Sequence, residues 1–600
     1  MGQSRPSSPE NIRDRLGTED LPDAQGAAIK ALNVTNQDTV IETADGHRLP
    51  GVPLSEAKKL NALRSAHNSP SSSSSSSSSS LAPSTPGFQE DPRDNAGSTT
   101  VEMAPCFTDP LFPPVPVYGP ATPLRRAQCA VFRVSSGILS LCFLLVVVLG
   151  AIFESIPEFV LRWWALCSYR DLDADRPFAA LEKSRAAARE KLEEEDALVC
   201  DIRYYARRVG LDVERYEVET EDGFLLQLWH VFDPMDLPYY PEATDADREK
   251  LEDGEQLPRT ALPRETEKRR NGREGRSRYP VLLIHGLLQS AGAYCVNDDD
   301  SLAFYLVKCG YDVFLGDNRC GFQPKHTVLS YSDPRMWAWN IRQMGILDLP
   351  AFIEPILSLT SYRKLALITH SQGTTQTFVA LAKQQRPDLG DKISVFCALA
   401  PAVYAGPLIN KFYFKFMKLI PPWAFRIIFG IHSFIPFMMT MHSVVPARLY
   451  GQLGYRVFWF LFGWSDTRWD RNLRDRFFQF APVYVSAEAM RWWLGRECFA
   501  RHKCVLSTHS AGETPESGGG SWFDERFPKL AMWVAGSDAL VDGKRLLARF
   551  GEGKEPSVEL VHAKVIEEYE HLDVVWAIDA RKQVFEEVAM VIENCGEEES

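Results

Sequence analysis

The chain has 600 residues, 45% hydrophobic and 24% charged, with a formal net charge of −13. So acidic a balance argues against general nucleic-acid binding, which needs a basic face. The twelve cysteines are scattered singly and form no disulfide framework.

Residues 1–133 are rich in Ser, Pro, Gly and Asp and contain an unbroken serine run from Ser71 to Ser80. Such a stretch cannot bury enough apolar surface to offset its ordering entropy, so a disordered tail is expected. It opens Met1-Gly2-Gln3-Ser4-Arg5-Pro6, without the apolar core of a signal peptide. Pro6 also breaks the myristoylation pattern, which wants Ser or Thr there.

Residues 134–153 are twenty positions without a charge, centred on Leu144-Leu145-Val146-Val147-Val148-Leu149. That length crosses roughly 30 Å of hydrocarbon, and a membrane anchor is expected. Arg125, Arg126 and Arg133 precede it, while Glu154, Glu158 and Arg162 follow it, a bias that favours a cytoplasmic N-terminus. Two features point the other way. The only Asn-x-Ser/Thr site is Asn33, in the tail, whereas a lumenal catalytic domain often carries one. Pro157 and the amphipathic Phe159-Val160-Leu161-Arg162-Trp163-Trp164 would turn the segment back as a monotopic insertion, which suits a lipid droplet. Single-pass and monotopic topologies both stay open, as does the choice among endoplasmic reticulum, lipid droplet and plasma membrane.

Residues 195–595 carry the chemistry. Lys364-Leu365-Ala366-Leu367-Ile368 has strand character, and Thr374 to Leu381 can open a helix. Between them stands Thr369-His370-Ser371-Gln372-Gly373, the pattern of a nucleophile elbow in an α/β-hydrolase. The turn is tight, so residues two before and two after the serine must be small. Gly373 obeys that rule and Thr369 bends it.

A serine hydroxyl needs a general base, and the base needs an acid to hold its tautomer. In this fold the order is Ser, then acid, then His. The acid well placed after a buried-strand pattern is Asp538, which follows Leu530 to Ala535 and the turn Gly536-Ser537. Asp542 competes, but a helix N-cap is sufficient reason for it. Six histidines follow Ser371: His432, His442, His502, His509, His562 and His571. His562 lies inside a strand-like run, whereas His571 comes just after it in a polar loop, where the fold presents its base. The backbone N–H of Gln372 and of Leu287, in the turn after Val281-Leu282-Leu283-Ile284, are the expected oxyanion donors.

Residues 242–279, rich in Arg, Lys and Glu, read as a solvated loop. A segment of about 401–493 interrupts the core and is unusually aromatic, with Phe412-Tyr413-Phe414, Pro421-Pro422-Trp423 and Phe458-Trp459-Phe460-Leu461-Phe462. It is expected to form a helical cap, part of it a lid over an acyl or sterol pocket. Cys498, His502, Cys504 and His509 match no common zinc spacing, and a serine triad needs no metal or cofactor.

With these residues in place, the chain resembles the acid lipase family, closest to the membrane-anchored fungal steryl ester hydrolases. The matching stretches are Tyr216 to Leu226, His285-Gly286-Leu287-Leu288-Gln289-Ser290, Ser301 to Phe304, Gly310 to Arg319, His370 to Thr374, Gly536-Ser537-Asp538 and His571-Leu572-Asp573. The departures are Thr369, Cys320 after Asn318-Arg319, and the long charged insertion. The resemblance implies an α/β-hydrolase fold with a helical cap, Ser371 as nucleophile, Asp538 and His571 as partners, and Leu287 with Gln372 as the oxyanion hole. It implies cleavage of neutral lipid esters at a membrane or lipid-droplet surface, steryl esters first. The alternatives are a triacylglycerol lipase and a non-catalytic lipid-binding membrane scaffold.

Overall fold

The computed structural model describes residues 30–33, 39–43, 46–50, 111–113, 115–116, 118, 122–169, 172–174, 176–191, 197–234, 278–319, 321–507 and 520–596. The serine run, most of the charged insertion, Cys320 and His509 lie outside them. The chain divides into two compact units, residues 1–109 and 110–600.

In the first unit, Lys30–Asn33, Thr39–Glu42 and Arg48–Leu49 pair as a small antiparallel sheet, with Val40 and Leu49 buried. These short strands lie within the Ser/Pro-rich tail, and Val40 and Leu49 are the apolar side chains that the small sheet covers. Gly46, at φ 78°, takes a left-handed position in the turn that follows.

The second unit opens with α1, Pro123–Cys167, 45 residues long and N-capped by Thr122 with Pro at the first position. Among the described residues it is the one helix long and apolar enough to cross a membrane. It is more than twice the expected 134–153 segment. Pro157 sits inside it and does not turn the chain back. The i,i+4 pair Arg162–Glu158, 2.9 Å, supports the turn that follows the proline.

Eight strands then form one sheet: β1 Asp212–Glu219, β2 Leu225–Phe232, β3 Pro280–Ile284, β4 Asp312–Asp317, β5 Leu365–His370, β6 Ile393–Leu399, β7 Lys529–Ala535 and β8 Leu560–Ile566. Their spatial order is β8-β7-β6-β5-β3-β4-β2-β1. The pairs from β4 to β8 by way of β3 are parallel, and β2 is antiparallel to both neighbours. Parallel strands covered on both faces read as continuous apolar runs, and every residue of β3, β5 and β6 is buried. Register fixes the site: Thr369 on β5 lies opposite Ile284 on β3 and Ala398 on β6. The carboxyl ends of the central strands therefore emerge side by side.

Helix α2, Gln372–Ala380, leaves β5 directly. Between β6 and β7 the chain builds short helices that include α3 Phe412–Leu419, α4 Pro422–Phe429, α5 Phe437–Val444, α6 Ala447–Phe462 and α7 Ala487–Leu494. Proline precedes α5 and α6 and opens α4, which fixes where these helices start. After β7 comes α8, Gly543–Gly551.

Candidate active site

The strand-to-helix turn is sharp. Ser371 adopts φ 53°, ψ −117°, a region a residue with a side chain seldom occupies, and its N–H donates to Leu399 O at 3.1 Å. A Cβ at Gly373 would meet Ile284 O at 2.7 Å and His285 O at 3.0 Å, so only glycine fits. The same Cβ would meet the Thr369 Cβ at 3.2 Å. Thr369, fully buried, is accommodated because Gly373 presents no Cβ to it.

Loops after β7 and β8 bring the other two residues to the serine. Gly536 N–H donates to Ile566 O at 2.8 Å and Ser537 N–H to Tyr569 O at 3.0 Å, locking one loop to the other. A Cβ at Gly536 would meet Glu567 Cα at 2.4 Å, so this close approach requires glycine. The result is a short chain of contacts: Ser371 Oγ lies 2.7 Å from His571 Nε2, and His571 Nδ1 lies 2.6 Å from Asp538 Oδ2. The other Asp538 oxygen accepts from Leu540 N–H at 2.8 Å and Val541 N–H at 3.1 Å. With the carboxylate ionised, Nδ1 carries the proton and Nε2 is free to accept one from the serine. Asp542 instead caps α8, accepting from Arg545 N–H at 3.0 Å. His562 remains in β8, and His432 and His442 bond to Ser332 O and Gln479 O.

The turn 285–288 sits against the serine. A Cβ on Gly286 would lie 3.1 Å from Ser371 Cβ, 3.1 Å from His370 Nδ1 and 2.8 Å from Gln289 Oε1. Gly286 N–H donates to Gln289 Oε1 at 3.0 Å, and Leu288 takes φ 61°. His285 fixes the turn from behind. Its Nε2 accepts from Asn318 N–H at 3.2 Å, so Nδ1 must be the donor to Gly286 O at 2.9 Å. Burial pushes the His285 imidazole down, which keeps that neutral tautomer. Among the described residues no backbone acceptor takes the Leu287 N–H, and Gln372 N–H is the first of its helix. The Gln372 side chain is held by Trp493 Nε1 at 3.0 Å.

The cap meets this turn directly. Val483 N–H donates to Leu288 O at 3.0 Å, and Phe480 O accepts from Ser290 N–H at 3.0 Å.

Three residues that sequence reasoning left without a role shape the site. Trp464, in the loop after α6, stacks on His571 with centroids 5.5 Å apart and planes 11° off parallel. His370 Nε2 lies 3.2 Å from His571 O, and its pKa is pushed down to about 3, chiefly by burial and then by the neighbouring His571. Asp573 accepts from Glu570 N–H at 2.7 Å and Trp469 Nε1 at 2.8 Å, closing the loop that carries His571. Burial raises its pKa to about 7. The motif His571-Leu572-Asp573 was the available signal for Asp573; nothing in sequence pairs Trp464 with His571. No group of three or more metal-ligating side chains occurs among the described residues.

Residues 202–298 match the family model of a partial α/β-hydrolase lipase region, and residues 279–407 that of the α/β-hydrolase fold. The chain is similar to sterol esterase 2 of Saccharomyces cerevisiae, 36% identical over 425 residues, covering 65% of this chain and 71% of the relative. The chain belongs to the acid lipase family of α/β-hydrolases. This acid lipase is also similar to human gastric triacylglycerol lipase, 28% identical over 64% of the chain and 88% of the relative. A third relative is the lysosomal acid lipase/cholesteryl ester hydrolase of Rattus norvegicus, 27% identical over 52% and 81%. Like the family it belongs to, this acid lipase is a carboxylic ester hydrolase acting on lipid esters.

Proposed function

We propose that the protein hydrolyses steryl esters to sterol and free fatty acid at a membrane or lipid-droplet surface. The observation that carries the mechanism is the contact chain Ser371–His571–Asp538 at a strained elbow. Ser371 attacks the ester carbonyl while His571 Nε2 takes its proton. Asp538 holds Nδ1–H and stabilises the imidazolium. The Leu287 and Gln372 amides receive the oxyanion; each such donor is worth about 2.7–4 kcal/mol of barrier. His571 then protonates the leaving sterol oxygen, collapse gives the acyl-Ser371 ester, and water repeats the sequence to release the acid. The steryl ester substrate is supported by similarity to sterol esterase 2, at 36% the highest identity among the relatives named above. The similarity to gastric triacylglycerol lipase supports triacylglycerol as the second reading.

Rates on cholesteryl oleate and triolein, for the unaltered protein and Ser371→Ala in detergent, test both readings. Cholesteryl oleate cleavage that vanishes in the variant is the expected result. Cleavage of triolein alone would replace the substrate, and failure of Ser371 to react with a fluorophosphonate would remove the mechanism.

A further inference from the structure

Helix α1 and the cap are packed together. The buried residues along its apolar stretch are Ser136, Ser140, Val147, Ala151 and Ser155, mostly small side chains repeating at intervals of four and seven. Small residues let the cap approach closely. A Cβ on Gly430, just after α4, would meet Ser136 Oγ at 2.7 Å, and one on Gly150 would meet Phe460 of α6 at 3.0 Å. Phe143 sits edge-on to Phe429, centroids 5.1 Å apart. Further along, Glu158 pairs with Arg456 of α6, whose guanidinium lies 5.0 Å from the Phe159 ring.

That seam runs from Ser136 to Glu158, about 33 Å at about 1.5 Å per residue. It covers the whole length a bilayer core would need, about 30 Å. A spanning helix meets lipid or other apolar helices along that length. Here one side is occupied by α4 and α6, which carry Arg426 and Arg456, the former paired with Glu488 at 2.6 Å. A bilayer around α1 would have to take in these helices with their charged side chains, which is costly. The cap cannot follow α1 through the membrane, so α1 cannot cross while it stays docked.

The opposite side of α1 is bare. Ile138, Val146, Leu149 and Phe153 are exposed, followed by Trp163 and Trp164, residues suited to the headgroup boundary. Helix α3 lies beside the seam through α6: its Tyr413 packs on Phe460 at 5.9 Å, the ring that a Cβ on Gly150 would meet. On α3 the exposed apolar residues Phe412, Phe416 and Leu419 repeat at helical spacing beside Lys411, Lys415 and Lys418. Among the described residues no carboxylate forms an ion pair with these three lysines. An apolar stripe edged by lysines is the pattern of a helix lying in an anionic lipid surface, where the ammoniums reach the headgroups.

We propose that α1 and α3 form one docking face that enters a single leaflet with anionic headgroups, leaving both ends of α1 on the same side. The inference rests on the membrane-surface reading above and adds which residues meet lipid and from which side.

The first test uses the full chain tagged at both termini, in sealed microsomes treated with protease, with detergent-opened microsomes as control. Both tags lost, or both retained until detergent is added, is the expected result. One lost and one retained would overturn one-leaflet docking. The second test floats the full chain from cell-free synthesis with phosphatidylcholine vesicles, with or without phosphatidylserine. The variant K411E/K415E/K418E is expected to bind the phosphatidylserine vesicles on the order of 100-fold more weakly than the unaltered chain. Equal binding would overturn the part given to α3. Hydrolysis of a soluble p-nitrophenyl ester in detergent, expected unchanged in the variant, reads the catalytic site separately. A wrong esterase assignment would show there and not in flotation.

Discussion

Replacing Gly286 by alanine isolates the oxyanion turn from the nucleophile. The added Cβ would stand 3.1 Å from both Ser371 Cβ and His370 Nδ1, closer than ordinary van der Waals contact. Neither neighbour can retreat: Ser371 is fixed by the elbow, and His370 is buried on the main-chain carbonyl of His571. Gln289 Oε1, at 2.8 Å, is the flexible end of a side chain, but moving it breaks its bond to Gly286 N–H. The turn itself must therefore shift by a few tenths of an ångström, carrying the Leu287 N–H off its target. Loss of one preorganised donor costs about 2.7–4 kcal/mol, a fall in kcat of about 10²–10³. Overpacking by one methyl costs about 1–3 kcal/mol of stability, which leaves the domain folded. Steady-state hydrolysis of a p-nitrophenyl ester, with a thermal melt on the same preparation, measures both. A folded Gly286→Ala enzyme with kcat within threefold of the unaltered protein would refute the placement of the hole at this turn.

Asp538→Asn should keep the Leu540 and Val541 contacts through its remaining oxygen yet lower kcat by about 10⁴, because the imidazole loses its tautomer control; pre-steady-state acylation rates check it. Trp464→Ala should lower kcat/KM by roughly three- to tenfold as the stacked support of His571, worth about 0.5–1.5 kcal/mol, is lost, while Trp464→Phe should recover most of it. The Asp573 carboxyl, raised to about 7 from 3.8, keeps its proton in the folded state after the unfolded chain has released its own. Its contribution therefore favours folding at low pH and is lost as pH rises between these values. Melting temperatures of Asp573→Asn and the unaltered protein, compared from pH 4 to pH 8, should shift in the variant's favour as pH rises; a constant difference would sink this assignment.

β5 and β7 are legible as apolar runs, because buried parallel strands read as continuous hydrophobic stretches, whereas β8, at the sheet edge and only partly buried, is legible by near-alternation. Chain order then led to Ser371, Asp538 and His571, which the fold brings within hydrogen-bond distance. Leu287 is named from its place in the turn after β3, since a main-chain donor leaves no side-chain signature. The rest depended on tertiary geometry. Trp464 reaches His571 from more than one hundred positions away, and no local pattern encodes that stack. The length of α1 was missed for a different reason. Hydropathy marks its apolar middle, but its ends are held by contacts, such as Glu158 with Arg456, that exist only once the cap has folded. In sequence Pro157 signals a break, yet a proline on a helix packed against the cap before and after it is carried along.

The two hydrogen bonds joining Val483 and Phe480 to the 288–290 segment make the cap part of the frame that holds the turn beside Ser371. Gly286 packs against the serine at one end of that turn, and the cap grips the other. A substitution at 480–483 that shifts the cap backbone therefore reaches the catalytic serine through the main chain, even where it alters no side chain of the triad.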